Sequence, residues 1–213
     1  KPELFANWIE QQKGKEVWLC PTTRRVVPLA HHSFFTIPET HYKKFPQKMQ
    51  IDIRELHNNP LLFKEQNGKF LEENYHKVSK IIKYIAKNRI RINKDFVFNE
   101  MIKYLYKKER LPAIAFVFSR KQAQKFAEKV ELSLYPPNSK IPSIIEKECQ
   151  QILMKLPNYK EYIELPEYKT IIKLLKKGIA VHHAGIPQIF RELIEQLFDK
   201  NYVKLLCATE TFA

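Results

Sequence analysis

The 213 residues are 44% apolar and 28% charged, the balance of a folded, water-exposed chain, and 37 basic against 23 acidic residues leave a formal charge of +14. The longest uniformly apolar run, residues 113–118, falls far short of the ~20 residues a membrane helix needs, and residues 1–7 lack the apolar stretch of a secretory leader. The three cysteines, Cys20, Cys149 and Cys207, lie too far apart for a zinc pattern, and an odd count is no disulfide framework. An intracellular setting, nuclear or cytoplasmic, is therefore expected. The charge excess points to a polyanionic partner, or equally to lysines spread over solvated helix faces.

In chain order, Leu4, Phe5, Trp8 and Ile9 recur at helical spacing, with Gly14 placed to end that helix. Residues 16–20 and 29–36 read as strands. Residues 37–60 hold three prolines and no glycine, and read as an extended surface connection. Asn67-Gly68 is a turn signal between 61–63 and a helix over 72–87 that aligns Tyr75, Val78, Ile81, Ile82 and Ile85. A second helix over 94–108 turns Val97, Phe98, Met101, Ile102 and Leu105 inward.

From residue 111 the pattern becomes strand–helix alternation. The continuous apolar run 113–118 suits a parallel strand buried on both faces, and a helix follows from residue 120. Helices over 141–156 and 166–177, a strand over 179–181, a helix opened by Pro187 and a strand over 203–208 complete the reading. The expected fold is a parallel α/β sheet flanked by helices, incomplete at its C-terminal end because the last strand has no helix after it.

Ligands of such sheets bind where strands turn into helices. Three turns of that kind occur: Phe118-Ser119-Arg120-Lys121, His182-His183-Ala184-Gly185 and Thr209-Glu210-Thr211. They fall on one edge, where helix N-termini favour anions, and together they resemble a track for successive phosphates of a nucleic-acid strand. Each residue also has a plainer reading. Ser119 can be a helix cap, Arg120 and Lys121 solvated charges, His183 a hydrogen-bonded structural histidine. No third ligand sits at a spacing that would make the two histidines a metal site. There is no G-x-x-x-x-G-K-[ST] loop, and the four glycines are dispersed, so unaided phosphoryl transfer is not expected.

The order of segments resembles the superkiller-type DExH-box RNA helicases of superfamily two, the group that feeds RNA to the exosome. "LFANWI" (4–9) and "TRRVVPLAHHSFF" (23–35) look like the stretch after helicase motif III, and "GKFLEENYHKV" (68–78) like the family's connecting segment. "LPAIAFVFSRKQAQKFA" (111–127) looks like motif IV, "GIAVHHAGIP" (178–187) like the His-His-Ala-Gly turn, and "KLLCATETFA" (204–213) like the first half of motif V.

The resemblance implies a RecA-like (P-loop NTPase-type) sheet. Residues 1–22 would end the first RecA-like domain or hand over to the second, 23–110 would connect, and 111–213 would be a truncated second domain. It implies part of an ATP-dependent, 3′-to-5′ RNA helicase acting in RNA processing or decay. ATP and Mg²⁺ would be held mainly by residues outside this chain, since Walker A, Walker B and motif VI are absent and the chain alone is expected to be inactive. Nucleic-acid contacts carry over to Ser119, Arg120, His183, Gly185, Thr209 and Thr211, with Glu210 in a coupling or structural role. Single-stranded RNA, or a duplex with a 3′ overhang, and exosome-type decay factors are the implied partners. A DNA-unwinding relative of the same superfamily and a non-enzymatic basic RNA-binding module are the competing readings.

Overall fold

The computed structural model describes residues 2–20, 22, 26–210 and 212. Two compact units emerge: Lys1–Phe35 with Lys43–Ile90, and Thr36–Tyr42 with Arg91–Ala213.

In the first unit, α1 (Pro2–Lys13) starts on a proline, which needs no amide donor there. It ends at Gly14, whose positive φ of 58° and N–H donated to the Glu10 carbonyl make a left-handed cap. Its apolar stripe stays largely in solvent: Leu4, Phe5 and Trp8 are exposed and only Ala6 is buried. The strand expected over 16–20 does not form, because that segment has no ladder partner among the described residues. The strand expected over 29–36 shrinks to β1 (His31–Ser33). It pairs antiparallel with β2 (Leu61–Lys64) through Ser33 opposite Leu61.

The connection expected over 37–60 is not extended. It holds a 3-10 helix (Glu39–Lys44) and α2 (Gln47–Leu56). Met49, Ile53 and Leu56 bury one face at i, i+4 and i+7, and the prolines bracket this helix rather than break it. The Asn67-Gly68 turn forms as expected, with Gly68 at φ 93° and the Asn67 side-chain oxygen accepting from the Lys69 N–H at 2.8 Å. Next, α3 (Glu72–Lys87) buries Val78 and Ile81 and leaves Tyr75 and Ile82 exposed.

The second unit opens with α4 (Lys94–Lys107), capped by Asn93 accepting from the Asp95 N–H. Its Asn99 is buried, and there it donates to the Lys129 carbonyl and accepts from the Glu131 N–H. This fixes α4 against the end of α5 (Arg120–Lys129). Phe98 and Phe126 stack at 4.6 Å across the same pair.

Strands β3 (Ala113–Phe116), β4 (Ile179–His182) and β5 (Leu205–Ala208) make a fully parallel sheet in the order β3-β5-β4. β4 and β5 are buried throughout. β3 is not: Ile114 and Phe116 face solvent while Ala113 and Ala115 pack inward, so the expectation of burial on both faces fails. The cause is that only one face of β3 is covered by a helix among the described residues.

One core cluster joins α4 and α5 to the sheet. The other joins α6 (Ile141–Leu153), α8 (Pro166–Leu175) and α9 (Gln188–Asp199), with α7 (Tyr159–Glu164) packed at its margin. The parallel α/β sheet flanked by helices is thus the observed architecture.

Candidate nucleic-acid interface

Parallel register brings the three strand ends together. Phe116 and His182 both lie opposite Ala208. One step further, the Val117 N–H donates to the Ala208 carbonyl at 2.8 Å, and the Thr209 N–H donates to the His182 carbonyl at 3.2 Å. Helices α5 and α9 start from this edge with no acidic side chain in either first turn. Their unpaired amide donors and positive dipole ends therefore meet no internal anion there.

Ser119 caps α5, accepting from the Gln122 N–H at 3.4 Å. It is exposed, as are Arg120 and Lys121 beside it. Ala184 and Gly185 are exposed on the neighbouring turn. A Cβ on Gly185 would come within 3.1 Å of His183 Nδ1 and 3.2 Å of its Cε1, with Arg120 Cδ at 3.7 Å. A side chain here would crowd the imidazole, which packs directly on the backbone.

His183 is buried, and its Nδ1 accepts the Gly185 N–H at 3.1 Å. The neutral ring must then carry its proton on Nε2, which has no hydrogen-bond partner among the described residues. Burial pushes its pKa below the ordinary histidine value, and the Arg120 and His182 charges push the same way. A histidine held neutral in this way stabilises the fold above its unfolded pKa. That contribution is lost as pH falls from the unfolded value through the lower folded one, because the unfolded chain takes up the proton first. The urea midpoint of His183→Gln should accordingly depend less on pH between 7 and 5 than that of the parent chain. Equal pH dependence of the two would remove His183 as the cause.

His182 behaves differently. It is also buried, and its Nε2–H donates to the Glu195 carboxylate on α9 at 2.7 Å. Its ring meets Phe212 edge-on at 4.8 Å. Sequence reasoning did not pair His182 with Glu195, which stands thirteen residues away. Alternation along β4 was the available signal, since it turns adjacent histidines to opposite faces. Thr209 lies at the edge as expected, but buried. Glu210 is exposed, and Thr211 falls outside the described residues. Beside His183, a cavity of about 230 Å³ opens between α8 and the β4–α9 turn, lined by Thr170, Ile171, Leu174 and Ile186.

The chain's glycines stand apart at 14, 68, 178 and 185, and no group of three metal-ligating side chains occurs among the described residues. Both buried cysteines, Cys149 and Cys207, have thiols pushed up to about 12 by burial, and so are held as unreactive thiols. No described helix is long and apolar enough to cross a membrane.

No family model matches the chain. It is 42% identical over 114 residues, 54% of its length, to the antiviral helicase SKI2 of Saccharomyces cerevisiae, and covers 9% of that protein. It is 29% identical to the superkiller complex protein 2 of Mus musculus over 210 residues, 98% of this chain and 16% of the relative. With the exosome RNA helicase MTR4 of Homo sapiens it shares 28% over 219 residues, again 98% of this chain and 19% of the relative. The chain thus spans less than a fifth of each of these relatives. Over nearly its whole length the chain is similar to superkiller-type and exosome DExH-box RNA helicases, and its parallel sheet flanked by helices is consistent with a RecA-like domain.

Proposed function

We propose that this chain supplies the strand-contacting edge of the second motor domain of an ATP-dependent RNA helicase. The observation that carries the reading is the convergence of three strand-end turns on one edge, tied by the Val117–Ala208 and Thr209–His182 backbone bonds. That edge presents two helix N-termini and exposed Arg120 and Lys121.

In this reading the amides at the starts of α5 and α9 and at Gly185 donate to RNA phosphates, and Arg120 adds a charge-assisted bond. Ser119 and Thr209 bring hydroxyls to the same track, the role that the resemblance also gives Thr211, and His183 orders the Gly185 turn. Glu210 couples the edge to the rest of the motor. ATP and Mg²⁺ act elsewhere in the longer protein. ATP-driven closure and opening would alternate the grip on a single strand and move it 3′ to 5′. Exosome-type decay factors would then be natural partners, in the nucleus or cytoplasm. The second motor domain would comprise residues 111–213 together with α4.

The test is RNA-stimulated ATP hydrolysis by the 213-residue chain beside a longer version carrying both motor domains. Hydrolysis only by the longer protein, with RNA binding by both, is expected. Hydrolysis by the chain itself would mean a nucleotide site within these residues and would overturn the assignment.

A further inference from the structure

The first unit carries a charge asymmetry that the strand-end site does not use. From Asn74 to Ile90 it has no acidic residue but holds Lys77, Lys80, Lys83, Lys87 and Arg89. Between Glu39 and Asp52 it again has no acid, and holds Lys43, Lys44 and Lys48.

The fold brings these two runs together. The Tyr84 hydroxyl on α3 donates to the Lys44 carbonyl at 3.3 Å, and the Tyr84 and Phe45 rings meet at 5.5 Å. Lys80 and Lys87 lie four residues before and three after Tyr84, so they share its face of the helix. Lys83 lies on the flank of that face.

Some lysines outside this region pair with acids: Lys103 with Glu100, Lys125 with Asp95, Lys176 with Glu146 and Lys200 with Glu148. On α3 only Lys77 does so, with Glu55 of α2. Lys43, Lys44, Lys80, Lys83 and Lys87 are all exposed and stand clear of every described carboxylate. Clustered cations repel one another unless something else compensates. A ridge of flexible, unpaired ammonium groups fits a run of phosphates, which it neutralises with release of counterions.

We propose that this ridge is a second RNA-backbone contact, sequence-independent and separate from the strand-end edge; it rests on the reading of the chain as an RNA-binding segment. It requires no base recognition, because lysines act here as point charges.

The experiment measures binding of a fluorescein-labelled single-stranded RNA to the 213-residue chain across a salt series. The ridge variant is Lys80→Gln, Lys83→Gln, Lys87→Gln. The control removes three paired lysines of the second unit: Lys103→Gln, Lys125→Gln, Lys176→Gln. Glutamine keeps helix propensity close to that of lysine, and circular dichroism checks each fold. The ridge variant should lower the slope of log affinity against log salt by about 2, from ~0.7 per lost single-strand phosphate contact. The control should leave the slope in place.

Equal loss in both variants would mean that bulk charge alone acts, and would overturn the ridge. So would an unchanged slope in the ridge variant. Loss of binding to phosphatidylserine vesicles with RNA binding intact would assign the ridge to membranes and also overturn it. If the parent chain binds no RNA, the broader RNA reading falls with it; binding that ignores the ridge substitutions overturns the ridge alone.

Discussion

Arg120→Ala in the 213-residue chain should weaken binding of single-stranded RNA about tenfold or more, since a hydrogen bond to a charged group contributes roughly 1.5–3 kcal/mol. The thermal midpoint should barely move, because Arg120 is exposed at the first turn of α5 and packs into no core. Arg120→Lys should restore part of the affinity but not all, as an ammonium cannot offer the planar fork of a guanidinium to phosphate oxygens. A second readout separates a local role from a general charge effect. The Arg120 charge helps to hold the His183 pKa down, behind burial as the larger cause. Removing it should raise the His183 titration midpoint, followed by NMR of the imidazole protons. Unchanged RNA affinity in Arg120→Ala would remove this residue from the interface.

The largest stability effect should come from Phe190→Ala. Phe190 is fully buried on α9, with Tyr162 edge-on at 6.1 Å and Tyr168 at 5.9 Å. Emptying such a position costs about 3–5 kcal/mol, the lost transfer energy plus the cavity left behind. Phe116→Ala is the matched control: its ring is 57% exposed on the open face of β3, and the change should stay near 0.5 kcal/mol. Urea unfolding of both variants reads the difference. Similar losses in the two would mean that the open face of β3 is covered in solution.

Elements with a clean 3.6-residue period were legible from the residues alone. α3, α4 and α9 appear where their apolar positions put them, within a residue or so at the ends. α2 was not, because its prolines suggested an irregular chain, whereas Pro46 merely stands at its N-cap. Residues 16–20 looked like a strand because propensity is local, while a strand exists only through its ladder. The exposure of β3 could not be read either, since a run of apolar residues does not say which faces of a strand the helices cover.

Within the site, the strand-end turns were legible because α/β connectivity itself delivers them to one edge. The division of labour between the histidines was not. It depends on α9 bringing Glu195 to His182 and on Gly185 folding back on His183. The lysine ridge was equally hidden, because its two acid-free runs meet only once Tyr84 reaches Lys44.

The strand order β3-β5-β4 has a consequence for how the chain is made. β5, the last of the three strands in chain order, is the central strand, and β3 and β4 each pair only with it among the described residues. During synthesis, α5 to α9 can leave the ribosome and begin to fold, yet neither edge strand has a neighbour until Leu205–Ala208 emerges. The sheet therefore closes in one late, long-range step rather than growing strand by strand. Until then the apolar faces of β3 and β4 stay unzipped, and this interval is when the nascent chain most needs shielding by chaperones.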